Sequence, residues 1–232
     1  MKSKEALALL RKYGASEDVI RHVKHVRDYA LEITEQNPSA DRDLVEAGAL
    51  LHDIGRTRTH GIDHAVEGAE ILRREGVDER IVRIVERHIG AGLTAGDAEY
   101  LGLPPKDYLP ETIEEKIVCH ADNLIGNMRR ISIHDAIRTA EERWSPGALD
   151  RLIKMHCEVF RPEKVVMGGR FCVVGALDET IGRLDVLFQT RRENDHCAVL
   201  VYGRDAKKAG ARLKKLINTS QDSSSDRKPS PR

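Results

Sequence analysis

Apolar residues recur every three to four positions through most of the first 160 residues, and that spacing predicts a succession of helices. Two cover residues 3–13 and 17–36, separated by Gly14-Ala15-Ser16. Ser16 is placed to cap the second, with Glu17 and Asp18 in the first turn where the helix dipole favours them, and Asn37-Pro38 ends it. Asp41 can cap a third helix over 42–53. A fourth over 62–75 closes at Gly76, and a fifth over 79–89 follows Asp78, with Ile81, Val82, Ile84 and Val85 on one face. The pattern breaks over 90–110, where Gly90, Gly92, Gly96, Gly102, Pro104, Pro105 and Pro110 predict a long loop with one short helical turn, suited to covering a substrate. Helices resume over 111–130, 132–143 and 146–160.

The character changes after Arg161-Pro162. β-Branched and apolar runs over 171–177, 184–188 and 196–202 have strand length, and residues 191–195 read as the turn between the last two. Asp205 can cap a basic helix over 206–217. The expected organisation is therefore a mainly α chain: a helical domain over 1–160, a small α+β appendage of order β-β-β-α over 164–218, and a Ser/Asp/Lys/Pro-rich tail over 219–232 expected to be disordered.

Composition narrows the function. Of 232 residues, 38 are Lys or Arg and 38 Asp or Glu, so bulk charge points to no polyanion or membrane partner. Local patches stay open: Lys207, Lys208, Arg212, Lys214 and Lys215, with Arg204 nearby, give the last helix a basic face that RNA could use. Its strands carry few aromatics for base stacking, and a solvated helix face is the simpler account. Cys119, Cys157, Cys172 and Cys197 form no CxxC pair, which argues for reduced thiols rather than a zinc knuckle. With no signal-peptide core and no apolar run near the ~20 residues that span a bilayer, the expectation is a soluble, cytoplasmic protein.

The chemistry concentrates in His52-Asp53-Ile54-Gly55, which closes the apolar third helix. Neighbouring helical side chains point ~100° apart, so His52 and Asp53 can share an ion only near the helix end. His22 faces inward with Val26 and Ala30; His64 opens the fourth helix; His88 closes the fifth; and Asp122 sits in the apolar Ile117–Ile125 stretch, where an unpaired charge would be costly. Imidazoles and carboxylates without thiolates suit Mn, Fe, Co, Ni or Zn, and admit Mg. His25, His60 and His120 compete for the same roles. His25 lies one turn from His22, His60 lies four residues before His64, and His120 lies ~200° around the helix from Asp122; all three are read as structural. Arg56 and Arg58, just past the pair, are candidates to bind phosphate, and Lys116 is a weaker one.

This ordered set, His22, His52-Asp53-Ile54-Gly55, His64 with Gly68-Ala69 after it, His88 and Asp122, resembles the HD superfamily of metal-dependent phosphohydrolases, in its HDIG-type branch of small prokaryotic, mainly archaeal proteins. The resemblance spans about 17–130. It implies a helical bundle with one metal ion held by His22, His52, Asp53 and Asp122. His64 and His88 would hold a second ion, sharing Asp53, or face phosphate beside a single one. The activity implied is hydrolysis of a phosphomonoester or phosphodiester, of a nucleotide or related small molecule, by metal-activated water with His52, Asp53, Arg56 and Arg58 at the reacting group. The alternative is a metal-stabilised regulatory or RNA-associated module without turnover.

Overall fold

A computed structural model of the protein describes residues 1–168, 184–193 and 196–222. The chain is mainly α, as its periodicity predicts, and divides into two compact units, Met1–Val159 and Phe160–Arg232.

In the first unit α1 (Ser3–Lys12), α2 (Glu17–Glu35), α3 (Arg42–Leu51), a 3-10 turn (Ile54–Thr57), α4 (His64–Arg74) and α5 (Glu79–Glu86) follow one another closely, and α6 (Ala95–Tyr100), α7 (Ile113–Asn123), α8 (Ile133–Arg143) and α9 (Pro146–Val159) complete it. Starts are set by side-chain caps: Ser16 accepts from Val19 N, Asp41 from Leu44 N and Asp78 from Arg80 N. α3 is the central helix. Leu44, Val45, Ala47, Gly48, Ala49, Leu50 and Leu51 are all buried, and the helix packs against α1, α2, α5 and α7. The stripe Ile20, Val23, Val26, Ala30 and Ile33 of α2 is buried where α2 packs on α3 and α7. This three-helix contact brings positions 100 residues apart in sequence together.

Since Asp41 caps the helix that ends at the candidate site, Asp41→Ala is expected to lower stability by about 1 kcal/mol in urea unfolding. Asp43→Ala should change it far less, because Asp43 is exposed and its ion-pair partner among the described residues, Lys2, is exposed too. Equal losses in the two variants would refute the capping role.

Two segments of this unit depart from expectation. The helix expected over 111–130 stops at Asn123, and a hairpin of β1 (Ile125–Gly126) and β2 (Arg129–Arg130) follows. Its turn residues Asn127 and Met128 both have positive φ, 50° and 59°, the conformation of a two-residue hairpin turn. The 90–110 stretch is more than a loop with one turn. It holds the two-turn α6, a Leu93–Tyr108 bridge and its own apolar cluster of Ala98, Leu103 and Tyr108.

In the second unit β3 (Glu163–Gly168), β4 (Leu187–Glu193) and β5 (His196–Tyr202) form an antiparallel sheet in the order β3-β5-β4. Glu163 pairs with Val201 and Leu187 with Tyr202. α10 (Ala206–Asp222) packs on β3 and β5, with Ala206, Ala209 and Leu213 joining Leu184, Val186, Val199 and Val201 in one cluster. The strand expected over 171–177 lies outside the described residues. β3 was not expected, and the strand expected over 184–188 begins only at Leu187 and runs on to Glu193. Residues 191–193, expected as a turn, are therefore strand. α10 continues through 219–222, which were expected to be disordered; 223–232 lie outside the described residues. On the basic face Lys214 donates to Glu163 and Arg204 pairs with Asp185, and Lys207, Lys208, Arg212 and Lys215 are also exposed. No described helix is long and apolar enough to cross a membrane.

Candidate metal centre

The end of α3 places the site. His52 is its C-cap and Asp53 begins the 3-10 turn, so the two side chains leave the helix where its carbonyls lose their partners. His52 Nδ1 donates to Ala49 O at 2.8 Å. His64 Nδ1 donates to Gly61 O at 2.7 Å, and His88 Nδ1 to Val85 O at 2.7 Å. In each case the acceptor is the carbonyl three residues earlier. A ring nitrogen facing a carbonyl carries a proton, so in its neutral form each of the three imidazoles presents Nε2 as the lone pair.

Those Nε2 atoms converge on two carboxylates. Asp53 Oδ1 lies 3.2 Å from His64 Nε2 and 3.6 Å from His88 Nε2. Asp53 Oδ2 lies 3.7 Å from both His22 Nε2 and His52 Nε2. Asp122 Oδ1 accepts from His22 Nε2 at 2.9 Å and lies 3.5 Å from His52 Nε2. The six residues thus form overlapping ligand groups, His22-His52-Asp53, His52-His88-Asp122 and Asp53-His64-His88, each with its donor atoms within 4.8 Å of one another.

This donor set fits a divalent cation. It is all nitrogen and oxygen, as hard-to-borderline ions require. Among the described residues, buried His52 Nε2 and Asp53 Oδ1 have no hydrogen-bond partner, an arrangement that is costly unless a cation satisfies it. His64 Nε2 and His88 Nε2 lie 3.1 Å apart with both Nδ1 atoms already donating, so two lone pairs oppose each other unless positive charge lies beside them. Electrostatics agree. Burial opposes charge on His52, but the carboxylates of Asp53 and Asp122 outweigh it and raise its pKa to about 9. Burial likewise opposes ionisation of Asp53 and Asp122, yet the surrounding histidines, His52 first, hold both well below the usual carboxylate range. His88 is lowered, burial outweighing its contact with Asp53.

Gly55 explains how α4 reaches the pair. A Cβ on Gly55 would lie 1.8 Å from the carbonyl oxygen of His64 and 2.7 Å from the nitrogen of Gly68. Only a hydrogen fits where the 3-10 turn crosses the first turn of α4, and that crossing brings His64 to Asp53.

The remaining candidates separate. Arg56 Nε lies 2.7 Å from Asp53 Oδ2, with its side chain one-third exposed. Arg58 is exposed and donates to Glu67, and Lys116 pairs with Glu158 on α9; among the described residues neither has a polar contact to the cluster. His25 and His60 are exposed, and His120 is buried against His156 at 2.9 Å and kept neutral by that burial. Sequence reasoning missed Asn123. Its amide donates to Gly90 O at 2.6 Å, tying the residue after Asp122 to the loop after His88.

The HD-domain family model matches residues 19–127. A Methanocaldococcus jannaschii protein, MJ0778, is 49% identical over 165 residues, covering 68% of this chain and 97% of its own. The chain belongs to the HD superfamily. A tRNA (cytidine(56)-2'-O)-methyltransferase of Thermoplasma volcanium is 53% identical over 150 residues, covering 65% of this chain and 44% of that protein. Ribonuclease Y of Acidothermus cellulolyticus is 33% identical over 106 residues, 44% of this chain and 18% of that one. The chain thus spans less than half the length of both these named relatives.

Proposed function

We propose that the protein is a metal-dependent phosphohydrolase that cleaves a phosphodiester or phosphomonoester of a nucleotide or of RNA. The observation that carries this reading is the division of Asp53, one carboxylate oxygen facing His22 and His52, the other His64 and His88. Such a carboxylate suits a two-ion centre, in which His22, His52 and Asp122 would hold one ion, His64 and His88 would hold the other, and Asp53 could serve both. A bound divalent ion supplies acidified water and polarises a phosphoryl oxygen. The chain does the rest. The Nδ1–carbonyl bonds fix the imidazole planes, the apolar end of α3 excludes bulk water behind the carboxylates, and Arg56, tethered through Nε, offers its terminal nitrogens to a phosphoryl oxygen.

The relatives named for tRNA methylation and ribonuclease activity support RNA among the substrate classes; the first leaves more than half of its own length outside the match. The reading assigns the chemistry to residues 1–160, treats 164–218 as a separate unit whose basic helix contributes RNA contact, and includes a cytoplasmic location.

The test is a panel of nucleotides, cyclic nucleotides and short RNAs with the chelated protein, then with Mn, Co, Ni, Zn or Mg restored. Hydrolysis is expected with at least one ion and none after chelation. At an ion concentration of 100 Kd, binding should stabilise the fold by about 2.7 kcal/mol, a rise of roughly 5–10 °C in melting temperature. Metal-dependent melting without turnover of any substrate would favour the regulatory module instead. No effect of metal on either would remove both readings.

A further inference from the structure

Two cavities flank Trp144, the single tryptophan of the chain. One, about 390 Å³, is lined by Ile62, Tyr100 and Leu101 with Trp144 and Arg143. Among the described residues four large apolar side chains are exposed, and these three are among them, Tyr100 at 90%. The other cavity, about 680 Å³, shares Trp144 and Arg143 and adds Asn123, Arg129, Arg138 and Asp135. Asp135 is occupied by Arg138, whereas the side chains of Arg129 and Arg143 have no ion pair among the described residues. Most other arginines of the first unit are paired, so two open guanidinium groups on one groove form a local positive site in a chain of zero net charge.

The groove adjoins the metal centre. The Trp144 indole rests on Gly90, where an added Cβ would come within 3.3 Å of it. Gly90 lies two residues after His88, and its carbonyl is held by Asn123, next to Asp122. Ile62 lies two residues before His64.

An aromatic, apolar arm and a cationic arm meeting at one indole match a single-stranded nucleic acid: bases stack on aromatic faces while guanidinium groups follow the phosphates. We infer that this groove binds single-stranded RNA across Trp144, with a base between Tyr100 and Trp144 and the adjoining phosphates on Arg143 and Arg129. The two volumes together exceed what one nucleotide fills, so the ligand spans at least two. This inference rests on the phosphohydrolase reading for its meaning, and binding can be measured without turnover.

Trp144 fluorescence reports the groove directly. The full chain in chelator is titrated with an RNA pentamer, with the corresponding mononucleotide and with a duplex of the same length. The pentamer should quench the indole saturably, bind at least about tenfold tighter than the mononucleotide and weaken with salt. The duplex should bind weakly. By anisotropy of an end-labelled pentamer, Arg129→Ala/Arg143→Ala and Trp144→Ala should each lose about tenfold, and Trp144→Phe should keep most of the affinity. The inference is overturned if the pentamer neither quenches nor changes anisotropy, if the mononucleotide binds as tightly, or if the arginine variant and Trp144→Phe/Ala all bind like wild type. Hydrolysis of mononucleotides with no pentamer binding removes the groove and leaves the phosphohydrolase. Pentamer binding with no hydrolysis under any ion does the reverse.

Discussion

Asp53→Ala is expected to lower hydrolysis at least about a thousandfold, the scale set by losing several kcal/mol of transition-state stabilisation, and to strip the protein of divalent metal. The size of the effect follows from the two oxygens of Asp53. They lie 3.2–3.7 Å from four imidazoles, and Arg56 pairs with one of them. Alanine leaves four histidines with Asp122 as the one remaining carboxylate of the cluster, so both halves of the cluster lose negative charge together. Asp53→Asn keeps the shape and removes the charge, and should fall nearly as far. Metal content by elemental analysis and single-turnover hydrolysis check this. A variant that keeps both its metal and its rate would show that the centre lies elsewhere.

Gly55→Ala should be the most destabilising single methyl in the first unit, by about 3 kcal/mol or more, or roughly 6–12 °C in melting temperature. The atoms in its way are backbone, the His64 carbonyl and the Gly68 nitrogen, so no rotamer change relieves the clash. α4 must shift away from the 3-10 turn, carrying His64 off Asp53 and weakening metal binding as well. Gly68→Ala provides the comparison. Its nearest obstacle is the side chain of Val85, at 2.9 Å, which can yield, and the loss should be smaller. Equal melting temperatures for Gly55→Ala and wild type would mean that the two segments do not cross so closely.

Much of this was legible in the sequence because it depends on periodicity and residue chemistry. The apolar faces of α2, α3 and α5 fix how these helices pack, and His22 on α2, His52 just past α3 and His88 two residues past α5 meet in one cluster. What the sequence hid was direction and turn geometry. Lys116 lies six residues before Asp122, about 240° around the same helix, so it points to Glu158 instead of the cluster. Arg58 follows a 3-10 turn, whose tighter winding sends it to Glu67. The hairpin after Asn123 has Met128 in a left-handed conformation, which no residue preference announces. The Trp144 groove joins a loop, a hairpin and two helix ends, and no single stretch of sequence carries its signal.

The bonds from Nδ1 of His52, His64 and His88 to the carbonyls of Ala49, Gly61 and Val85 have a further consequence. Each imidazole is oriented by a carbonyl within its own four-residue segment and not by a neighbouring helix. Rotamer freedom is thus surrendered locally as each turn forms, and little remains to be lost when the helices dock or an ion enters. Segments between these short units can lengthen or change without disturbing how any of the three rings is aimed.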